Sequence, residues 1–143
     1  MTEHSLWRFS RALQHALQER QTEQLEAVLD DNIDWAIYGP IDMFAFFGAR
    51  HGKRSVIEVV RQIADIVQLH RFDRESLLLG EETAALLMRC SVTTTDAVAP
   101  ISVRVAQFAQ FKSGRLTNLR AVIDTFDLVE QALGREIHLP KIA

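Results

Sequence analysis

Residues 99–123 read APISVRVAQFAQFKSGRLTNLRAVI, and the architecture of the chain follows from them. In the first half of this stretch apolar residues alternate with Ser102 and Arg104, which is the period of a strand with one buried face. Ser113-Gly114 then forms a turn of the kind that joins two neighbouring strands. The stretch therefore predicts two antiparallel strands, Ala99–Lys112 and Arg115–Ile123.

Similar patterns extend towards the N-terminus and predict three more strands. The segment after Thr83 is rich in β-branched residues, which favour extended backbone. Gly80 and the following acidic pair form a polar turn, Gly39-Pro40 ends the first strand, and Asp96 begins a turn. The three predicted strands are Ile33–Tyr38, His70–Leu79 and Thr83–Thr95.

Four segments have the apolar spacing of helices with one buried face. Ser5 and Thr22 are the candidate N-caps of the first two. Residues Ile41–His51 form an apolar loop that we expect to pack down as a lid or wall. The predicted helices are Ser5–Arg20, a short helix after Thr22, Lys53–Val67 and Asp127–Leu133.

Helices precede a run of strands joined by short turns, which is the order of an α+β protein and not of a doubly wound parallel sheet. We therefore expect a single domain, residues 1–143, built on a curved antiparallel sheet. The helices lie on one face of that sheet and enclose a concave space.

Composition limits the classes of function. The chain has 143 residues and a formal net charge of -3, so it shows no basic footprint for nucleic acid. The lone cysteine, Cys90, is typical of a reducing compartment. Met1–Arg11 lacks the apolar stretch of a signal peptide, and no run of apolar residues is long enough to span a membrane. We expect a cytoplasmic protein that binds neither nucleic acid nor membrane.

The order of elements resembles that of the nuclear-transport-factor-two-like superfamily, and particularly its SnoaL-like and ketosteroid isomerase-like members. The resemblance covers nearly the whole chain and implies a cone-shaped α+β barrel around one apolar pocket, with the N-terminal helices packed over its concave face. The stretches that carry it are Leu25–Trp35, Gly39-Pro40, Phe46-Phe47-Gly48, Gly52-Lys53, Lys112–Thr117 and Asp124-Thr125.

The catalytic set of a ketosteroid isomerase is incomplete in this sequence. Such a site needs a carboxylate base and two oxyanion donors, a phenol and a protonated acid. The resemblance places the base at Gly39, the phenol near Leu13 and the acid near Gln107. Gln107 alone can donate a hydrogen bond, so steroid isomerisation is disfavoured.

Two other sites found in the superfamily are disfavoured in the same way. A site resembling limonene epoxide hydrolase needs an Arg-x-Asp pair and a second Asp, and these positions hold Met88, Cys90 and Ala121. A site resembling scytalone dehydratase needs two inward histidines together with tyrosines, and the chain has a single tyrosine, Tyr38.

The inward faces of the predicted strands are apolar, which is typical of a small-molecule pocket and also of an ordinary core. Tyr38 either hydrogen-bonds a ligand or keeps a hydrated hydroxyl at the surface. The candidate ligand-binding residues are Trp35, Ile37, Tyr38, Met43, Phe46, Met88, Cys90, Val105, Leu119 and Ala121.

Three polar residues are the catalytic candidates. Gln107 interrupts an apolar strand face, where an unpaired amide costs free energy, so it is either a ligand donor or a satisfied core amide. His51 could move a proton at a pocket mouth or be a solvated loop residue. Asp124 could be a base or the cap of the last helix. Cys90 fits a buried inert thiol better than a nucleophile.

No metal and no cofactor are expected, because His4, His15, His70 and His138 lack the spacing of metal ligands. The leading hypothesis is a protein that binds a small hydrophobic molecule, polycyclic or carbonyl-containing. Whether it is an enzyme is left open; the candidate chemistry is lyase or isomerase chemistry without a cofactor.

The rival hypothesis is a non-catalytic homodimer. In it the chain pairs through the outer face of the sheet, where Phe108 and Val122 stand among polar residues.

Overall fold

The computed structural model describes residues 3–40, 43–94 and 99–134. Four helices and six strands follow one another in these ranges. The order is α1 (Ser5–Glu19), α2 (Glu23–Val28), β1 (Leu29–Tyr38), β2 (Gly48–His51), α3 (Lys53–Ile66), β3 (Val67–Leu79), β4 (Thr83–Thr94), β5 (Ile101–Lys112), β6 (Arg115–Ile123) and α4 (Thr125–Leu133).

The six strands form one curved sheet in the order β2-β1-β6-β5-β4-β3. The meander from β3 to β6 is antiparallel throughout, as predicted from the turns between these strands. Register shifts interrupt the pairing in β1, β3 and at Gln110, and such bulges bend a sheet. The α+β class and its cone shape are therefore confirmed.

Two details of the predicted sheet were wrong. β1 pairs with β6 in parallel, with Trp35 opposite Leu119, so the sheet is mixed and does not close into a barrel. Alternation along a strand reveals its buried face, but it does not reveal the direction of the neighbouring strand. β2 was expected to be loop, because a strand of four residues is too short for an alternating pattern.

β5 shows how the alternation divides the two faces of the sheet. Ile101, Val103 and Phe111 are buried, whereas Arg104 and Phe108 are exposed. The buried face packs against α1 and α3, whose apolar sides supply the rest of the core. Their buried residues are Leu6, Phe9, Ala12 and Ala16 on α1, and Val56, Ile57, Val59 and Val60 on α3.

The helix ends differ from the expected caps in two places. His4, and not Ser5, caps α1: its Nδ1 accepts from the Leu6 amide at 3.0 Å, and its Nε2 lies 2.9 Å from the Gly80 carbonyl. An acceptor at Nδ1 leaves the ring proton on Nε2, so the same ring caps the helix and binds the β3–β4 turn. Thr22 makes no side-chain cap; its hydroxyl accepts from Arg61 at 3.2 Å.

Other boundaries moved by a few residues. β1 and β3 begin earlier than predicted, because α2 and α3 pass directly into them without a loop. α4 begins at Thr125, two positions before the predicted start, with Asp124 as its N-cap. The turn predicted at Asp96 lies outside the described residues.

One side chain of α4 forms two hydrogen bonds with the sheet. Gln131 accepts from the Ser102 amide at 2.7 Å and donates to the Ser102 carbonyl at 2.8 Å. Its amide thus takes the place of a neighbouring strand at the end of β5. No helix in the described part of the chain is long and apolar enough to cross a membrane.

We predict that Gln131→Ala lowers the free energy of unfolding by about 1–2 kcal/mol, because two hydrogen bonds are lost at a partly buried backbone position. Urea denaturation measures the change. The matched control is Gln62→Ala on the exposed side of α3, which should change stability by less than about 0.5 kcal/mol. Equal effects of the two substitutions would contradict this role for Gln131.

Candidate functional site

A cavity of about 190 Å³ lies between the concave face of the sheet and the helices. α1 contributes one helical face to it, at spacings of three, four and seven residues. The lining residues are Ser10, Leu13, Gln14 and Leu17 of α1; Ile63 of α3; Leu128 of α4; Phe44, Phe46 and Phe47 of the β1–β2 connection; and Trp35, Ile37, Val67, Leu69, Phe72, Met88, Cys90, Val92, Thr94, Ile101, Val103, Val105, Gln107, Leu119, Ala121 and Ile123 of the strands.

The cavity has an inner end, where it meets the solid core. On β5 the inward-facing residues line it as far as Gln107, and the next two, Ala109 and Phe111, are buried without lining it. On β1 the last lining residue in this direction is Trp35, and Ile33 beyond it is fully buried. Trp35 and Gln107 therefore mark the inner end.

Every lining residue in the described ranges is uncharged. Among these described residues, the polar ones are Ser10, Gln14, Thr94 and Gln107. The lining thus offers hydrogen bonds at a few points and apolar contact elsewhere, which is the usual composition of a small-molecule site. No group of metal-binding side chains occurs in the ranges that the structure describes.

Gln107 faces the cavity because it lies on the same inward-facing side of β5 as Val105 and Ala109. It lies opposite Leu86 on β4 and Ala121 on β6, neither of which has a polar side chain. Its residue exposure is 7%, and no described side chain or backbone group pairs with its amide. The described residues thus supply no hydrogen-bond partner for this amide, and its role towards a ligand stays a prediction.

Trp35 carries a second unpaired polar group. The residue is 2% exposed, and its Nε1 is buried with no hydrogen-bond partner among the described residues. A buried donor without an acceptor costs about 1–3 kcal/mol, and such groups are rare in folded proteins. No pattern of residues indicated this unpaired nitrogen, because Trp35 fits the apolar face of its strand.

Burial raises the pKa of the Cys90 thiol to about 11. At neutral pH the thiol is therefore protonated, and it lines the cavity as a small apolar group. No described carboxylate or imidazole lines the cavity beside it.

Most of the predicted ligand-binding residues lie together around this cavity. Eight of them line it with Gln107. Their roles towards a ligand stay predictions. The eight are Trp35, Ile37, Phe46, Met88, Cys90, Val105, Leu119 and Ala121.

Four predicted site residues lie elsewhere. Tyr38 is 52% exposed on the outer face of the sheet, since it follows inward-facing Ile37 by one position. Met43 is partly exposed in the β1–β2 connection and does not line the cavity. His51 and Asp124, the two candidate proton carriers, are outside the lining as well.

Other interactions account for these two side chains. His51 Nδ1 lies 2.7 Å from Asp34 Oδ1 across the β1–β2 pair, and both side chains are more than half exposed. Asp124 accepts from the Asp127 amide at 3.2 Å and caps α4. His51 is therefore a solvated residue at the surface, and Asp124 is the cap of the last helix.

Several lining residues were missed from the sequence. The four from α1 sit at helical spacing, so the amphipathic pattern could have identified them. Val92 and Thr94 of β4 continue the inward phase of the predicted residues Met88 and Cys90. Leu128 had no such signal, because its place depends on how α4 folds back over the sheet.

An open curved sheet, covered by helices around an apolar cavity, defines a cone-shaped α+β protein with an internal binding site. No protein-family model and no curated protein matches the sequence. Solved structures do match it.

The chain is 67% identical to a provisionally assigned isomerase from Rhodopseudomonas palustris, with a TM-score of 0.91 over 94% of this chain and 100% of that one. A protein of unknown function from Burkholderia pseudomallei, described as NTF2-like, has 17% identity and a TM-score of 0.76, over 91% of this chain and 98% of that one. An LEH-like epoxide hydrolase from M. tuberculosis has 17% identity and a TM-score of 0.68, over 91% and 90%.

The chain belongs to the same family as the Rhodopseudomonas palustris protein, and it has the nuclear-transport-factor-two-like fold that its order of elements indicated. The two more distant structures support the fold alone, and the activity of each is a property of that protein.

We predict that Cys90 reacts slowly with iodoacetamide in the folded protein. At pH 8 a thiol with a pKa of about 11 has roughly a hundredfold less thiolate than a thiol with the ordinary pKa of 9.0. Mass spectrometry of timed samples measures the rate, with the urea-unfolded chain as the control. Equal rates for folded and unfolded protein would show that the thiol is neither buried nor shifted in pKa.

Proposed function

We propose that the chain binds a small hydrophobic molecule in the cavity between the sheet and α1. The observation that carries this proposal is a cavity of about 190 Å³ whose uncharged lining is interrupted by the unpaired amide of Gln107. A mostly apolar wall with one or two fixed polar groups favours a ligand of the same composition. Partly exposed side chains of α1 and β3, such as Leu17 and Leu69, border the cavity and could form its entrance.

The cavity volume limits the size of the ligand. An apolar cavity of about 150 Å³ in another protein binds benzene, so a slightly larger one accommodates one substituted ring. A polycyclic compound, which the sequence left as a candidate, would need the helices to move apart. We therefore favour one-ring compounds.

Isomerase-type chemistry without a cofactor is the reaction class that the likeness to the Rhodopseudomonas palustris protein supports. In that reaction Gln107 would polarise a bound carbonyl by donating a hydrogen bond to its oxygen. His51 and Asp124 are not proposed as proton carriers, because they make their contacts away from the cavity. Ligand binding is thus the primary proposal and catalysis its extension.

We predict that one-ring ketones, phenols or alkylbenzenes raise the melting temperature, whereas steroids do not. A ligand at a hundredfold excess over its Kd stabilises by about 2.7 kcal/mol, which corresponds to roughly 5–10 °C for a domain of this size. Differential scanning fluorimetry measures the shift. If no compound of this panel stabilises the protein, the binding proposal fails.

Ala121→Leu should abolish that stabilisation, because three added carbon atoms occupy part of the cavity beside Gln107. The matched control is Ala106→Leu, which adds the same atoms to the outer face of the same sheet. The same ligand response in both variants would place the ligand outside the cavity.

A homodimer is the second candidate, and the outer face of the sheet favours it. Tyr38, Leu78, Phe108 and Val122 are 46–72% exposed there, and we call them the outer patch. Tyr38 pairs with Val122, and Phe108 is joined to Leu78 through Ala85. Between these two groups, Val122 lies opposite Ala106 and Phe108 opposite Arg120. A two-fold pair of such patches would bury apolar surface on both copies.

We predict that Phe108→Arg converts a dimer into a monomer, because it places a charge in the middle of the outer patch. Light scattering coupled to size exclusion reports the mass. Phe126→Arg, which alters another exposed phenylalanine on α4, is the control and should leave the dimer intact. A monomeric wild-type protein would refute the dimer but not the cavity.

A further inference from the structure

Arg74 places a positive charge beside the cavity. It lies on β3, the edge strand of the sheet, directly opposite Met88 of β4, whose side chain lines the cavity. Residues that lie opposite each other on two antiparallel strands point to the same face of the sheet. Arg74 therefore stands on the concave face, although the residue is exposed and is not itself part of the lining.

Two ring contacts fix the position of the guanidinium of Arg74. Its Cζ atom lies 4.7 Å from the ring centroid of Trp7 on α1 and 6.0 Å from that of Phe72 on β3. Phe72 lines the cavity, and so does Ser10, which follows Trp7 by about one helical turn. The guanidinium thus lies between the helix and the edge strand, where lining residues of both elements border it.

The described residues do not balance the charge of Arg74. The two acids next to it in the chain pair with other arginines: Asp73 lies 3.0 Å from Arg71, and Glu75 lies 2.8 Å from Arg104. No described residue forms a hydrogen bond or an ion pair with the guanidinium of Arg74. A guanidinium that stacks on an aromatic ring keeps its N–H groups directed outward at its edge. These donors are available to a ligand.

A cation beside an uncharged cavity favours an amphipathic ligand. A guanidinium forms its best hydrogen bonds in pairs with a carboxylate, and one guanidinium balances one carboxylate charge. A phosphate monoester carries nearly two charges and would need a second cation. Because Arg74 is exposed, a carboxylate paired with it keeps much of its hydration, while the apolar part of the same molecule fills the hollow.

We propose that Arg74 is a ligand-binding residue that pairs with the carboxylate of a small organic acid whose single ring lies in the cavity. This assignment rests on the proposed binding function and names its substrate class: one-ring carboxylic acids with a short linker between ring and carboxylate. The linker follows from the geometry, since the guanidinium lies outside the lining and is 6.0 Å from the ring of Phe72, which belongs to it.

Three probes that share one ring and a three-carbon chain test the proposal. 3-Phenylpropanoate carries the carboxylate, 3-phenylpropanamide replaces it with a neutral group of the same shape, and propylbenzene has neither. The formal net charge of the chain is -3, so the protein as a whole does not attract anions, and a preference for the acid reports a local cation. Isothermal titration calorimetry at neutral pH and low salt measures the Kd of each probe.

The acid should bind about five- to tenfold more tightly than the amide, because a charge-assisted pair with an exposed guanidinium adds to the same apolar contacts. Arg74→Gln removes the charge and keeps a polar side chain on the exposed edge strand. It should abolish the preference for the acid and leave the Kd of the amide and of propylbenzene within about twofold. The matched control is Arg71→Gln, which removes the same charge from the opposite face of β3 and should leave the preference intact.

If Arg74→Gln fails to fold, the salt dependence of the wild-type protein decides. Added sodium chloride should weaken binding of the acid and leave that of the amide unchanged, because salt screens an exposed ion pair. Equal responses of the two probes to salt would overturn the role of Arg74.

The outcomes distinguish this inference from the proposed binding function. If propylbenzene binds while the acid binds no better than the amide, the cavity takes ligands but the role of Arg74 is wrong. The same conclusion follows if Arg74→Gln keeps the preference for the acid, or if Arg71→Gln removes it to the same extent. If none of the three probes binds, both the binding function and the role of Arg74 are overturned.

Discussion

The packing of α1 and α3 onto the concave face of the sheet is the interaction on which the site depends. Both helices present a continuous apolar side, and the bulged strands curve towards it. Near the N-terminus of α1 the fit is tight, and Leu6, Phe9 and Leu116 fill the space completely. Further along the same helix, Ser10, Leu13, Gln14 and Leu17 border the hollow. Such a space is expected where a straight helix covers a bent sheet.

Much of the fold could be predicted from the sequence, because strand alternation and helical stripes report burial directly. β5 and β6 were correct to within two residues, since Ser113-Gly114 fixes the turn between them. The parallel pairing of β1 with β6 and the existence of β2 could not be predicted in this way. The parallel pairing depends on where β6 comes to lie beside β1, which no local pattern of residues records, and β2 is too short for an alternating pattern.

For a related reason, some residues of the site could be predicted from the sequence and others could not. Gln107 was visible because a polar residue occupies the inward phase of an apolar strand. Trp35 was placed in the lining, but its unpaired nitrogen emerged only from the tertiary structure of the described residues. His51 and Asp124 were chosen for their chemistry alone, and the partners that explain them, Asp34 and the Asp127 amide, depend on the tertiary and local backbone geometry.

The central claim is that the hollow beside Gln107 is real and accessible in the folded protein. Diffraction from crystals held under xenon pressure tests it most directly, because xenon enters apolar cavities of this size and is easily located. We predict xenon between Ile37, Val105 and Ala121, with little movement of the surrounding side chains. Side chains that have collapsed into the space, with no xenon between sheet and helix, would contradict the account.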